Sequence, residues 1–378
     1  MKILEIRELD FSKRFYGTSE IEIIKHLNKV GNEAYLFAIG ERTNNTSFTH
    51  YFNAPFGKAS LFQLKMLTYI PFFVLSRDIN IIITDQKSAF STIFLLPLKF
   101  FKNIKLVLDI RTIPVERNYI NRGEKWAMVY VKKYFDGVSY ITSGVRNWIN
   151  NKFRNHGMPS VIWGSGVNIE LFNSKVKPIV IDLDNYNQHF KIFYHGSISK
   201  NRGIADLLDA ISQLKRIKSN LLLMSLSDNN NFIEEYCKIN NLDLKDNLLL
   251  FDSVENSKVA SYIQLADICI VPLPRIDWWE VSSPLKLMEY VAMGKPVILS
   301  DIKAHKDILS DTEEFLVYYD PDYPDTLVNA INYAYENISE LAIKARNKSA
   351  GIVEDKLSWK IQAYKLSFFL EKLTKEGH

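Results

Sequence analysis

Short runs of apolar, often β-branched residues alternate with amphipathic stretches along most of the chain. Ile79–Thr84 and Ile104–Ile110 have the continuous hydrophobicity of strands that are buried on both faces of a parallel sheet. Residues 204–214 instead repeat their apolar side chains at the three- and four-residue spacing of a helix. Strand and helix patterns in alternation predict the α/β class, in which helices cover parallel sheets.

This alternation begins twice along the chain. A first strand is predicted at Lys2–Ile6 and another at Lys191–His195, with a polar stretch around Pro178 between them. We therefore predict two Rossmann-like, doubly wound domains. Residues 1–176 form the first domain, residues 177–190 the linker and residues 191–355 the second domain. A chain of 378 residues is long enough for two domains with separate cores.

The net charge of +4 is unevenly divided between the two halves. Residues 1–178 contain 25 Lys and Arg against 14 Asp and Glu, a balance of +11, so the remainder carries −7. This asymmetry suggests different partners for the two domains. A solvated basic face without a partner is one interpretation, and binding of an anionic membrane surface or a diphosphate acceptor is the other. Because the cations are dispersed and no RNA or zinc motif accompanies them, we predict no nucleic-acid partner.

Cysteine usage and the apolar stretches indicate where the protein works. Cys237 and Cys269 lie in apolar surroundings, which is typical of reduced thiols rather than of a disulfide framework. The apolar stretches Met66–Leu75 and Ala89–Phe101 are shorter than the roughly 18 residues of a membrane span, and the chain start is too acidic for a signal peptide. We predict a cytoplasmic enzyme that can bind peripherally at the inner face of the cell membrane. No metal-ligand cluster is present in the sequence, so neither a metal nor a cofactor is expected.

The stretch 281–300 carries the clearest chemical signal. Ser283 is a good helix N-cap, Pro284 suits the first helical position and Gly294 is typical of a helix end. A helix N-terminus beside Lys286 can bind a phosphate, because free N–H groups and an ammonium attract the same anion. Glu289, about one turn deeper, is placed to accept from both hydroxyls of a ribose. An ordinary capped helix with a Lys–Glu surface pair explains the same spacing equally well.

The same stretch resembles a known family. The run SPLKLMEYVAMGKPVI, residues 283–298, is similar to the C-terminal signature of glycosyltransferase family 4, the group 1 glycosyltransferases, in its SPLK-type branch. These are retaining enzymes of the GT-B fold, whose two Rossmann-like domains face each other across a cleft. Of the two Glu residues usual in the signature, Glu289 matches the second, and Val281 occupies the position of the first. The resemblance also implies that the C-terminal helix, residues 356–378, completes the first domain.

A second segment, FYHGSISKNRGIADLLDAI at residues 193–211, resembles the family's diphosphate-binding loop. Two cations usually hold the donor diphosphate there. Ser197 replaces the first, Arg202 occupies the position of the second, and Lys200 can supply the missing charge. The resemblance further implies that the first loop of the chain lies near the donor phosphates and that the turn at Val254 meets the nucleobase.

These arguments give a set of candidate site residues, partly from strand and helix ends and partly from the resemblance. The catalytic candidates are Arg202, Lys286 and Glu289. The donor-binding candidates are Gly17, Gly196, Ser197, Lys200, Arg202, Val254, Ser282, Ser283, Leu285, Lys286 and Glu289. The acceptor-side candidates, which follow predicted strands or an aromatic loop, are Asp109, Arg111, Asp277 and Trp278.

The resemblance implies a retaining glycosyltransferase, hexosyltransferase-type and independent of metal. It moves a sugar from a nucleoside diphosphate sugar to a hydroxyl of a carbohydrate or lipid-linked acceptor, as in the assembly of cell-surface polysaccharide or glycolipid. Two alternatives stay open. A catalytically inactive sugar-nucleotide-binding subunit would explain the missing family residues at Ser197 and Val281. A sugar-nucleotide epimerase of the same fold would need placed acid and base groups, and the sequence points to none.

Overall fold

The computed structural model describes residues 1–10, 18–39, 48–52, 58–113, 122–155, 157–181, 186–309 and 313–375. The chain divides into two compact units. The first comprises residues 1–166 together with 359–378, and the second comprises residues 167–358. Each unit is built around one parallel sheet.

The first unit contains seven strands, whose bounds in chain order are β1 Lys2–Asp10, β2 Glu33–Ile39, β3 Thr49–Phe52, β4 Ile81–Thr84, β5 Lys105–Ile110, β6 Gly137–Tyr140 and β7 Ser160–Ile162. All the strand pairs are parallel, in the order β3-β2-β1-β4-β5-β6-β7. The chain therefore moves outward from β1 in one direction and, from β4, in the other, which makes the sheet doubly wound.

The helices of the first unit are α1 Thr18–Lys29, α2 Lys58–Leu67, α3 Tyr69–Arg77, α4 Leu96–Lys102, α5 Arg122–Tyr134, α6 Ser143–Phe153 and, from the chain end, α14 Trp359–Lys375. A 3-10 segment, Ala89–Leu95, runs directly into α4. Two glycines let α14 pack closely on this unit. A Cβ on Gly137 would lie 2.8 Å from the ring of Phe369, and one on Gly166 would lie 2.8 Å from Trp359.

The described residues of the second unit form six strands and seven α-helices. The strands are β8 Phe190–His195, β9 Leu221–Ser227, β10 Leu248–Asp252, β11 Ile268–Val271, β12 Val297–Ser300 and β13 Leu316–Tyr319. The helices are α7 Ile204–Leu214, α8 Asn231–Ile239, α9 Asn256–Ile263, α10 Asp277–Glu280, α11 Leu285–Ala292, α12 Lys303–Ile308 and α13 Pro324–Ile352. The sheet order is β10-β9-β8-β11-β12-β13, again with parallel pairs throughout. Apolar side chains pack on both faces of this sheet and form its two core clusters.

The predicted fold class, two doubly wound parallel sheets, is confirmed. The border of the first unit differs from the predicted end at residue 176, because residues 167–176 lie in the second unit. Val167 and Phe172 are buried in the core of that unit, so this segment packs on the second sheet. Among the described helices, none has the length and apolar character needed to cross a membrane.

Candidate functional site

In the second sheet, β8 and β11 are neighbours, but the chain leaves them in opposite directions. This switch point opens a crevice beyond the carboxyl ends of the two strands, which is where open α/β sheets bind ligands. Gly196 follows β8 at this edge with a φ of +109°, a conformation that favours glycine. A Cβ there would come within 3.3 Å of the ammonium Nζ of Lys286, so the glycine leaves room for the lysine head group.

Lys286 is the most unusual charged residue of the site. Its side chain is buried, and Nζ lies 3.9 Å from the centroid of the Tyr194 ring. Within the described part of the chain, Nζ has no hydrogen-bond partner. Burial, and then the nearby Arg202, hold the pKa of Lys286 well below its usual range, while Glu289 opposes the shift. A desolvated cation without a hydrogen bond is costly in the empty protein and gains most from an anionic ligand.

Arg202 ends the one-turn 3-10 segment Lys200–Arg202. Its guanidinium lies 5.0 Å from the centroid of the Trp279 ring, and the indole N–H of Trp279 donates to the carbonyl of Asn201 over 2.7 Å. The loop that carries Arg202 is thus held on one side by an aromatic residue. Gly203 holds it on the other side, because a Cβ at this position would lie 1.7 Å from the carbonyl oxygen of Pro272.

The helix after the aromatic loop, α11, begins one residue later than the predicted cap at Ser283 implies. Leu285 is its first residue, and Pro284, with an extended ψ of 115°, takes the cap position. Proline has no side-chain acceptor, so this cap residue makes no side-chain hydrogen bond to the N–H groups of the first turn. Of the first-turn N–H groups, that of Leu287 donates to the Pro284 carbonyl over 3.2 Å, and the positive end of the helix dipole lies near Lys286.

Glu289 lies one turn into α11 and is buried. Its Oε2 lies 2.8 Å from Nε2 of His195, the last residue of β8. Nδ1 of the same imidazole lies 3.0 Å from the hydroxyl of Tyr290, and the backbone N–H of His195 donates to that hydroxyl over 3.1 Å. Strand β8 and helix α11 are joined at the site by these polar contacts.

The structure brings Gly196, Arg202, Lys286 and Glu289 together, and the other donor-side candidates lie around them. The Ser197 hydroxyl donates to Asp228 over 3.4 Å, and Lys200 is exposed. The Ser282 hydroxyl donates to the carbonyl of Trp279 over 2.9 Å. Val254 is half-buried against the core, and Gly17 lies outside the described residues. The binding roles of all these residues stay predictions.

The acceptor-side candidates of the second unit lie on the short helix α10. Asp277 is exposed and Trp278 is half-buried. Next to them, the guanidinium of Arg275 pairs with Asp320 at 3.1 Å, with Asp322 and, more loosely, with Glu280 at 3.7 Å. Arg275 thus anchors the loop before α10.

The two acceptor-side candidates of the first unit have very different surroundings. Asp109 is buried in an ion pair with Arg7, and it accepts from the Ser139 hydroxyl over 2.5 Å. Its hydrogen-bonding capacity is thus largely used within the unit. Arg111 packs its guanidinium 3.8 Å from the centroid of the Trp163 ring and donates to the Trp163 carbonyl over 2.9 Å.

Sequence reasoning missed His195, Tyr194 and Tyr290, and it did not assign Trp279 to the loop of Arg202. The available signal was the run FYHG, which places a histidine directly after a buried strand and before a glycine. Polar residues at the carboxyl ends of parallel strands line ligand crevices. That rule, applied to His195, would have added it to the candidates.

The family comparison agrees with this site. Residues 189–337 match the family model described as "Glycosyl transferases group 1". The matched region contains the glycine loop, Arg202, Lys286 and Glu289. The match lies within the second unit and agrees with the resemblance to group 1 glycosyltransferases seen in the sequence. Membership of family 4 and of its SPLK-type branch stays a prediction. No curated protein matches the sequence.

Comparison with solved structures covers both units. A glycosyltransferase from Rickettsia africae is similar over 99% of both chains, with a TM-score of 0.76 and 17% identity. Sucrose-phosphate synthase from Thermosynechococcus elongatus is similar over 100% of both chains, with a TM-score of 0.74 and 14% identity. HepE from Anabaena, solved with UDP, is similar over 98% of this chain and 100% of its own, with a TM-score of 0.71 and 14% identity. The fold of this chain is GT-B.

Proposed function

We propose that the protein is a retaining glycosyltransferase that moves a sugar from a nucleoside diphosphate sugar to an acceptor hydroxyl. One observation carries this proposal. A buried ammonium without a hydrogen bond, on Lys286, lies at the switch point beside Gly196 and close to Arg202. Two cations at a glycine loop suit a diphosphate, and the match to group 1 glycosyl transferases suggests that this diphosphate belongs to a sugar nucleotide.

In the proposed reaction, the bond between the anomeric carbon and the diphosphate oxygen breaks, and negative charge develops on the leaving group. Lys286 and Arg202 stabilise this charge, together with the positive end of the α11 dipole, and the stabilisation is larger in a desolvated site than in water. Glu289 accepts from the ribose hydroxyls. We identify no general base, so the leaving phosphate oxygen takes the proton of the acceptor hydroxyl.

The donor is proposed by class, because the sequence does not define its base or sugar. HepE has been solved with UDP, with UDP and glucose, and with UDP-glucose, which makes uridine nucleotides the first to test. Thermal shift with UDP-, ADP- and GDP-sugars then identifies the donor. A ligand at about 100 times its Kd adds about 2.7 kcal/mol of stability.

Release of the nucleoside diphosphate separates the proposal from its alternatives. A glycosyltransferase releases it from the donor, slowly to water and faster with an acceptor. An inactive binding subunit shifts the melting temperature and releases nothing. An epimerase changes the sugar and leaves the nucleotide attached. Binding without release under any acceptor condition would favour the inactive subunit, for which Ser197 and Val281 are the supporting departures.

We further propose that the reaction needs no divalent metal, because the cations of Lys286 and Arg202 take over the neutralisation of the diphosphate. Among the described residues, no group of three His, Cys, Asp or Glu is placed to hold a metal ion. Transfer should persist in excess EDTA. Complete loss with EDTA, restored by Mg²⁺ or Mn²⁺, would contradict this part of the proposal.

The setting proposed for the reaction is the assembly of cell-surface polysaccharide or glycolipid, with a carbohydrate or lipid-linked acceptor, at the inner face of the cell membrane. Lys99, Lys102 and Lys105 lie near the end of the second apolar stretch of the first unit and are the cations that the sequence first suggests for lipid binding. Lys99 pairs with Asp136, and Lys105 is buried in β5, so these two are less available to anionic lipid. Lys102 pairs with Asp78 at 3.1 Å, but this pair is exposed to solvent and therefore weak.

The same part of the first unit exposes aromatic side chains. On α4, Phe100 and Phe101 are 71% and 88% exposed, and Phe72 on the neighbouring α3 is 67% exposed. Residues 58–105 contain seven Lys and Arg against two Asp. Exposed aromatic side chains in a segment of net positive charge fit an anionic bilayer, because aromatic side chains insert at the interface and the charge attracts the headgroups.

Liposome sedimentation tests this surface. We expect binding to vesicles rich in anionic lipid at low salt and release at high salt. The double variant Phe100→Ser, Phe101→Ser should bind several-fold more weakly. Phe368→Ser is the matched control, because this phenylalanine on α14 is 73% exposed. Self-association of the free protein through these aromatic side chains, or equal binding of both variants, would contradict the membrane proposal.

A further inference from the structure

The imidazole of His195 contacts two consecutive residues of α11. Tyr290 is fully buried, and its hydroxyl accepts the backbone N–H of His195. The hydroxyl also has a proton to donate, and Nδ1 of His195, at 3.0 Å, is the acceptor that the described residues offer. Nδ1 therefore carries no proton. Nε2 is then the ring nitrogen that donates, to Oε2 of Glu289 over 2.8 Å.

The hydrogen bond to His195 uses one of the two carboxylate oxygens of Glu289. The described residues contact Oε2, and no hydrogen bond to Oε1 is found among them. Two acceptor positions on one carboxylate are what a pair of neighbouring ribose hydroxyls requires. Glutamate has three rotatable bonds, and fixing it before the ligand arrives removes an entropic cost from binding.

We propose that His195 is a positioning residue, which holds the Glu289 carboxylate in the orientation that receives the ribose of the nucleotide. This inference rests on the proposed function, since it assigns Glu289 to the ribose. In it, Tyr290 fixes the tautomer of His195, and His195 fixes the carboxylate. His195 itself touches neither the sugar nor the diphosphate.

The test compares a nucleotide with its form that lacks the ribose hydroxyls. UDP, ADP and GDP are first ranked by calorimetric titration of the wild type. The tightest is then compared with its 2′,3′-dideoxy form in the wild type, His195→Phe, His195→Gln and Tyr290→Phe. Phe keeps a ring but removes the donor, whereas Gln keeps an N–H donor at the reach of Nε2.

We expect His195→Phe to weaken binding of the ribonucleotide about tenfold or more, the effect of losing one hydrogen bond to a charged group. Binding of the dideoxy form should change less than about twofold, because Glu289 then has no ribose to receive. His195→Gln should recover most of the loss, and Tyr290→Phe should show a smaller loss confined to the ribonucleotide.

The outcomes separate this inference from the function on which it rests. If the wild type binds no nucleoside diphosphate, the proposed function fails. If it binds them but His195→Phe weakens both forms equally, His195 has only a structural role and the inference is wrong. If the wild type does not distinguish the two forms, Glu289 does not bind the ribose, and the inference is again wrong. Should His195→Phe misfold, as seen by circular dichroism, Tyr290→Phe and His195→Gln carry the same comparison.

Discussion

A buried cationic side chain lies near the carboxyl end of each central strand, β1 and β8, but the two side chains differ in their polar partners. In the first unit, Arg7 lies within β1 and pairs with two carboxylates, Glu5 and Asp109. All three side chains are 3% exposed or less. In the second unit, the ammonium of Lys286 is also buried, yet it has no hydrogen bond among the described residues. The first arrangement is complete without a ligand, and the second is not.

This contrast indicates which edge binds an anion. A buried charge with satisfied partners contributes to the folded state, and removal of one partner leaves the others uncompensated. A buried charge without partners costs stability and is kept in functional sites. Replacing each cation by methionine, which has similar length and no charge, should therefore change the free energy of unfolding in opposite directions.

The largest effect is expected for Arg7→Met. Glu5 and Asp109 would then face each other as buried carboxylates without a cation, at a cost of about 3–5 kcal/mol to the first unit. Hydrogen exchange measured by mass spectrometry should show lower protection in β1 and β5, while nucleotide affinity in the second unit stays within about twofold. Lys87→Met is the control, because Lys87 is exposed and surface changes of this kind cost less than about 0.5 kcal/mol. A cost of less than about 1 kcal/mol for Arg7→Met would show that the network contributes little.

The pH dependence of the first unit gives the next effect. Burial raises the pKa of Glu5 to about 7, although Arg7 opposes the shift. The folded state therefore binds a proton that the unfolded chain has already released above its ordinary pKa. Stability from this group is fully present at low pH and is lost as the pH rises towards and through 7, by up to about 3 kcal/mol.

Denaturant titrations between pH 4.5 and 8 measure this slope, and Glu5→Gln should remove it. Glu33→Gln is the control, because Glu33 lies on β2 outside the network. A wild type whose stability is flat across this range, or a slope that survives in Glu5→Gln, would show that Glu5 does not titrate as expected.

Lys286→Met should change the free energy of unfolding in the direction opposite to Arg7→Met. Removing a buried amine that has no hydrogen bond among the described residues should stabilise the ligand-free protein by about 0.5–2 kcal/mol. Transfer should fall at least tenfold, about 1.4 kcal/mol or more of transition-state stabilisation. Arg202→Ala should lower transfer similarly, and Glu289→Gln should mainly weaken donor binding. Melting temperatures with and without nucleotide, together with initial rates, test both parts. Wild-type rates in both cation variants would exclude the proposed diphosphate site.

The two units also show which features of the fold and of the site can be predicted from the sequence. The fold was predictable because strands buried on both faces are hydrophobic throughout, and because helix and strand periods differ. Lys286 and Glu289 were predictable because they lie in one helix, near a recognisable helix start. The contact between His195 and Glu289 joins residues 94 apart, and the one between Arg7 and Asp109 joins residues 102 apart. Such pairs depend on which strands are neighbours, so Asp109 was assigned to an acceptor although Arg7 already binds it.

The smallest effect concerns the proton of Lys286. In the ligand-free protein, burial and Arg202 hold the pKa of Lys286 well below its usual range. A diphosphate beside the ammonium favours the charged form and raises this pKa again. Between the two pKa values, binding must take up a proton, so affinity falls as the pH rises through that range.

Calorimetric titration with a nucleoside diphosphate, in buffers of different ionisation enthalpy between pH 7.5 and 9, counts these protons. The phosphate groups, with a second pKa of about 6, are already ionised there and contribute little. In the described part of the chain, the charged or titratable groups near Lys286 include Tyr194, Arg202, Glu289 and His305. Burial raises the pKa of Tyr194 to about 12, so it keeps its proton in this range. Burial lowers the pKa of His305 to about 4, so it is neutral throughout. We expect uptake of up to one proton per site in the wild type and none in Lys286→Met. Zero uptake in both, or release in the wild type, would contradict this prediction and show that Lys286 is already charged before the ligand binds.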